Sequence, residues 1–162
     1  MGNLALNFLL KDYSFETVLD IGSGVGIHES IFESHDKQTD RFGFGKSRAF
    51  SDDNSNVLIG DFLDYEFHKK YDAVWASHVL EHTISTQQFL EKIRFVCKED
   101  GVVAISVPPA KPEFVGGHVS LWTTSLLLYR LVLAGFDCSK AVCLKYGYNI
   151  SVLLKNTTND LN

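Results

Sequence analysis

Two short segments of this chain hold residue types at spacings that could do chemistry. The first is Asp20-Ile21-Gly22-Ser23-Gly24-Val25-Gly26, an acid followed by alternating glycines. Glycine lets a backbone turn tightly and come close to a ligand, and the start of a helix offers free amide donors. The spacing separates this loop from two phosphate-binding alternatives. A dinucleotide loop, GxGxxG, needs its third glycine at position 27, where Ile27 stands. A Walker loop needs Gly-Lys-Ser/Thr, and none follows. The second segment is His78-Val79-Leu80-Glu81-His82, which spells HxxEH. With both histidines on one helix face it could ligate zinc for hydrolysis, taking a third ligand from Glu91, Glu99 or Glu113. Against this, His78 follows directly on a strand ending at Ser77, whereas the zinc pattern belongs inside a long helix. Zinc hydrolysis therefore stays a remote alternative, and no residue is assigned as a metal ligand.

These residues need elements to hold them. Residues 15–21 (FETVLDI) form an apolar run closed by glycines, which predicts a buried strand and a turn. A helix over 25–33 would follow. Strands are expected at 41–45, 56–59, 71–77 and 101–107, the last stopped by Pro108-Pro109. Helical spacing covers 85–97, where Phe89, Ile93 and Val96 can share a side. A further helix is expected over 120–134, ended by Gly135. Two close strands at 141–145 and 148–154 read as a hairpin, so one of them runs antiparallel. A short helix precedes the first strand, within 1–11. Strands alternating with helices predict an α/β fold: a Rossmann-like three-layer sandwich with a mostly parallel seven-stranded sheet and one antiparallel strand near the C-terminus. One domain over 1–155 and a frayed polar tail over 156–162 are expected.

Composition narrows the function classes. The chain has 162 residues, 45% hydrophobic and 22% charged, which is ordinary for a globular domain. A net charge of −5 removes the electrostatic reason to expect nucleic acid. The stretch 121–136 is too short and too polar to span a bilayer, so no membrane is expected. Cys97, Cys138 and Cys143 form no CxxC pair, which fits reduced thiols in a cytoplasmic compartment.

The acid-x-GxGxG loop after a first strand resembles the first motif of class I S-adenosylmethionine-dependent methyltransferases, of the small-molecule type 11/12 kind. Other segments extend the resemblance over nearly the whole chain. Gly60-Asp61-Phe62 is similar to the family segment whose acid meets the adenine amino group. Residues 71–82 look like the fourth motif, and 101–108 like the fifth strand and its exit. Gly116-Gly117-His118-Val119, Trp122 and Ala134-Gly135-Phe136-Asp137 look like the C-terminal part. The resemblance implies cofactor contacts at Asp20, Gly22, Ser23, Gly24, Gly26, Gly45, Asp61, Phe62, Ser77 and His78. One position departs from the pattern. The acid that grips the ribose hydroxyls in the family is replaced by Gly45. Losing a charge-assisted contact costs about 1.5–3 kcal/mol.

The implied reaction is methyl transfer from S-adenosylmethionine, with S-adenosylhomocysteine as product, to a small-molecule or glycan-like acceptor. His78 or His118 could act as base for a hydroxyl acceptor, since histidine titrates near neutral pH. His82 ranks below them, as a structural residue. The core elements use almost all of the chain, so the pocket is expected to be open to a carrier-linked acceptor or completed by a homo-oligomer or partner chain. Residues 111–119 are the one sizeable loop that could cover it. The rival reading is a catalytically degenerate, methyltransferase-like binding or scaffold module, motivated by Gly45.

Overall fold

The computed structural model describes residues 2–44, 56–113 and 115–159. Seven strands form one sheet in the order β3-β2-β1-β4-β5-β7-β6. They are β1 (Thr17–Ile21), β2 (Gln38–Gly43), β3 (Val57–Ile59), β4 (Tyr71–Ser77), β5 (Cys97–Val107), β6 (Val142–Tyr146) and β7 (Asn149–Lys155). The pairs β1–β2, β1–β4, β2–β3 and β4–β5 are parallel, and β7 alone runs against its two neighbours. The expected fold class and its one reversed strand are both present.

Helices α1 (Asn3–Asp12) and α2 (Ile27–Glu33) cover one face; α3 (Thr86–Val96) and α4 (Thr124–Leu133) cover the other. Strand alternation decides which residues meet which helix. Leu19, Ile21, Val74 and Ala76 face the α3/α4 layer with Leu90, Ile93 and Leu127. Val18, Ala73 and Trp75 face the α1/α2 layer with Leu6, Leu9 and Phe32. Trp122 is 2% exposed and belongs to the core rather than to a pocket wall. The N-cap of α4 is Thr123, whose hydroxyl accepts from the Leu126 amide, so this helix starts later than its apolar run suggests. Among the described residues no helix is long and apolar enough to cross a membrane.

The chain after β7 corrects an expectation. Residues 156–159 are docked, not frayed. Asn156 is 8% exposed, and its Nδ2 donates to the carbonyls of Arg94, Cys97 and Lys98 at 3.0 Å each. Asn159 Nδ2 donates to Val132 and Phe136 carbonyls. These amides satisfy main-chain acceptors where α3 and α4 end, a task that polar residues do best.

Candidate functional site

The parallel order β2-β1-β4 brings three strand ends to one edge of the sheet, where open α/β sheets bind ligands. A cleft of about 640 Å³ lies there. Its floor is apolar, with Ile21, Phe42, Phe62 and Phe89; Gly22, Gly43 and Gly60 bring backbone to its wall. The floor is rigidly packed. Phe62 and Phe89 have ring centroids 4.5 Å apart, and Phe42 and Phe62 stand edge to face at 5.4 Å. Asp61 is exposed at the rim, and its Oδ1 accepts from the Leu63 amide at 2.9 Å. Two large apolar side chains stand in solvent at this cleft: Phe44 is 81% exposed and Ile84 is 91% exposed. Paired exposed apolar groups around a concave site are what an apolar, flat ligand would cover.

The glycine loop joins β1 to α2 beside the cleft. Gly22 takes φ +73°, and its amide donates to the Phe42 carbonyl at 2.8 Å. A Cβ at Gly22 would lie 2.4 Å from Val79 Cγ2. Behind the loop sits a buried polar cluster on the α2 side. Parallel register places Arg41 opposite Asp20. The Arg41 guanidinium donates to the Gly24 carbonyl at 2.7 Å and to Ser23 Oγ at 3.4 Å, and pairs with Glu29 at 3.2 Å. Asn56 Nδ2 donates to the other Glu29 oxygen at 2.7 Å. Gly26 has φ +81°, and a Cβ there would meet Glu29 Oε2 at 2.7 Å and Arg41 Cζ at 2.9 Å.

Asp20 belongs to this cluster and not to the cleft lining. It is 1% exposed, and among the described residues its Oδ2 accepts no hydrogen bond. Burial pushes its carboxyl up to about 8, against the pull of Arg41, with Glu29 adding to the rise. An unfolded aspartate titrates near about 3.9. Between about pH 4 and pH 8 the folded protein therefore holds a proton that the unfolded chain has released. Stability from this group is complete below that window and is lost as the pH rises through it. Asp20→Asn, which keeps the shape and cannot ionise, is expected to flatten that loss. Urea melts of both proteins at about pH 5 and pH 8 check this; parallel pH dependences would contradict a proton on Asp20.

At the end of β4 the chain turns sharply. His78 is in the left-handed region, at φ +58°, and its amide donates to the Ser106 carbonyl. Ser77 faces the other layer, where a Cβ on Gly2 would lie 3.1 Å from Ser77 Oγ. The His78 ring points to Asn149, whose Oδ1 lies 2.8 Å from Nε2. Its Nδ1 stands 3.2 Å from Glu81 Oε1. Glu81 lifts the His78 imidazole above its usual value, burial opposes the rise, and Asn149 adds to it. The zinc-hydrolase arrangement does not form. Residues Leu80–His82 make one turn of 3-10 helix, and His78 precedes it with its ring turned to Asn149.

His82 instead reaches the cleft lining and meets the 111–119 loop. Its Nδ1 donates to the Gly117 carbonyl at 2.8 Å, and its ring stands edge to face with His118 at 5.0 Å. The loop is tied down further by the Val119 amide on the Glu81 carbonyl and by Ser120 Oγ on the Leu80 carbonyl.

Of the sequence-predicted site residues, the structure brings Gly22, Asp61 and Phe62 together in the cleft. Asp20, Ser23, Gly24 and Gly26 form and brace its loop; Ser77 and His78 lie off the cleft. His118 stands beside it, against His82. Gly45 lies outside the described residues. Sequence reasoning missed Arg41, Phe44, Val79 and Ile84. Arg41 had a signal, since a charged residue opposite Asp20 in adjacent strands must be buried with a partner.

A family model described as a methyltransferase domain matches residues 3–137. (S)-coclaurine N-methyltransferase of Papaver somniferum is 26% identical over a match covering 70% of this chain and 40% of that enzyme. Among solved structures, Burkholderia thailandensis 1,6-didemethyltoxoflavin-N1-methyltransferase, bound to 1,6-didemethyltoxoflavin and S-adenosylhomocysteine, is similar with a TM-score of 0.76 at 16% identity, over 96% of this chain and 77% of that one. Human N-acetylserotonin methyltransferase in complex with S-adenosylmethionine gives 0.73 at 15% identity, over 95% and 52%. At those identities the two structures establish the fold alone. The chain spans 40% of the length of the Papaver enzyme.

Proposed function

The chain belongs to the methyltransferase domain family, and from that premise we propose that it transfers a methyl group from S-adenosylmethionine to a small-molecule or glycan-like acceptor, releasing S-adenosylhomocysteine. One observation supports this most: an apolar cleft at the ends of β1 and β2, with Gly22 at its wall and Phe44 and Ile84 exposed beside it. The residues present fit the cofactor. Gly22, without a Cβ, lets the loop pack against Val79 at the cleft wall, where its backbone would meet the amino-acid end of the cofactor. Asp61, with one oxygen held by the Leu63 amide, keeps its other oxygen for the adenine amino group. Phe44, Phe62 and Ile84 would cover the ring faces. The ribose would be held without the family's acid, because Gly45 occupies that position.

Bound there, the cofactor supplies a methyl group made electrophilic by a sulfonium. The chain's own part is placement and exclusion of water. The apolar floor keeps the reacting end dry. Where the acceptor is a hydroxyl, His118, whose ring stands against His82, would take its proton. His78 is a positioning residue that holds Glu81. The exposed Phe44 and Ile84 suit an acceptor on a carrier, or a second chain that closes the cleft. Free thiols at Cys97, Cys138 and Cys143 fit a reducing, cytoplasmic setting.

Titration calorimetry of the chelator-treated protein with S-adenosylmethionine and S-adenosylhomocysteine tests the reading. Micromolar binding of both is expected. A folded sample giving no heat with either ligand would overturn it in favour of a scaffold module.

A further inference from the structure

Glu81 poses a problem that the cofactor cleft does not solve. Its carboxylate is 0% exposed; Oε1 has the His78 imidazole as a partner, and among the described residues Oε2 takes part in no hydrogen bond. His78 Nδ1 stands 3.2 Å from Oε1. A buried carboxylate needs enough positive charge and enough donors to offset its desolvation.

Two further imidazoles lie near the same carboxylate. The ligating atoms of Glu81, His82 and His118 all lie within 4.8 Å of one another, and His82 Nε2 is 3.9 Å from Glu81 Oε1. The tautomer of His82 follows from its partner. A carbonyl can only accept, so the bond to Gly117 puts the hydrogen on Nδ1 and leaves a lone pair on Nε2. Metal-bound histidines are commonly held this way, with the far nitrogen donating to a backbone carbonyl. His118 arrives on a loop fastened to the same turn by the Val119 amide and Ser120 Oγ. Ligands around one zinc ion at about 2.0–2.2 Å stand closer together than these atoms do, so binding would draw the three side chains together.

We infer that Glu81, His82 and His118 bind one divalent cation of the zinc class beside the cofactor cleft. Two imidazoles and a carboxylate are a donor set for zinc or its neighbours rather than for magnesium or calcium. Three protein ligands leave a coordination position open. His82, alone of the three, lines the cleft, so an acceptor's oxygen would have to come to that position from the cleft side. This last step rests on the methyl-transfer reading; cation binding does not. A hydroxyl bound there loses its proton to water more easily. Its oxygen would then be the one to bond to the methyl carbon as the carbon–sulfur bond breaks, with that bond's electron pair left on sulfur. His118 as a ligand would not serve as base.

The test uses zinc alone, added to chelator-treated protein in the absence of S-adenosylmethionine, with Cys143→Ser as background to remove the exposed thiol. Calorimetry is expected to show one site. His118→Ala, on an exposed loop that leaves the core untouched, is expected to weaken it at least 30-fold. His82→Ala should do the same, and His68→Ala should leave it unchanged. Cobalt in place of zinc should give the visible absorption of bound cobalt, lost in His118→Ala. Zinc bound as tightly by His118→Ala, or no binding by the starting protein, overturns the inference; Glu81 would then be the partner of His78 only. Because no cofactor is added, failure here leaves the methyl-transfer reading standing, and failure of cofactor binding leaves the cation site standing.

Discussion

Gly22→Ala is expected to weaken binding of S-adenosylhomocysteine at least 100-fold while the protein stays folded. Two effects act together at this residue. Its φ of +73° is a conformation that costs an L-residue about 1–2 kcal/mol. Its new methyl would lie 2.4 Å from Val79 Cγ2, well inside van der Waals contact. The loop and the β4 exit must move apart, and both line the cleft. A hundredfold loss corresponds to about 2.7 kcal/mol, which strain and overlap together can reach. Two further variants separate the causes. Gly24→Ala has φ +53° but open space at its Cβ, so it tests strain alone and should cost about tenfold or less. Gly22→Ala with Val79→Ala removes the overlap and should recover part of the affinity. Native affinity in Gly22→Ala, with an unchanged melting temperature, would mean that the loop does not hold this ligand.

That Gly22 could be chosen from sequence shows which part of the site was legible. The loop, β4 and the reversed β7 were readable because each is set by local composition: glycines after an apolar run, alternating burial, and two strands too close for a crossover. The strand at 71–77 appears with those bounds as β4. Elements stabilised by polar burial were less visible. β2 begins at Gln38, ahead of the expected 41, because Thr39 and Arg41 are buried in the polar cluster beneath the loop rather than in an apolar core. β5 begins at Cys97 with the exposed residues Lys98, Glu99 and Asp100, which carry no strand signal. His78 lies off the cleft because a left-handed turn at φ +58° aims its ring at Asn149, from a strand far along the chain. The meeting of His82 with His118 depends on main-chain bonds of the 111–119 loop, which no side-chain pattern announces.

The polar cluster under the loop leads to the second large effect. Arg41→Met is expected to lower unfolding stability by about 3–5 kcal/mol, the usual result of removing one partner from a buried pair. For a domain of this size that corresponds to a fall of about 6–20 °C in Tm. The cost arises mainly at Glu29, 7% exposed, which would keep Asn56 Nδ2 as a partner but lose its 3.2 Å ion pair. It also arises at the Gly24 carbonyl, which would lose its 2.7 Å bond. Arg41→Met with Glu29→Gln removes the stranded charge and should regain part of the loss, since replacing both partners of a buried pair costs less than replacing one. The loop supplies a separate readout. Well below its Tm, Arg41→Met should still bind S-adenosylhomocysteine more weakly than the native chain, because the guanidinium that holds Ser23 and Gly24 in place is gone. The double variant should not recover that affinity, since glutamine at 29 restores charge balance but no brace. Stability regained together with binding would show that Arg41 acts on the fold alone; stability regained without binding would place the glycine loop's geometry under the control of a residue that never touches the cleft.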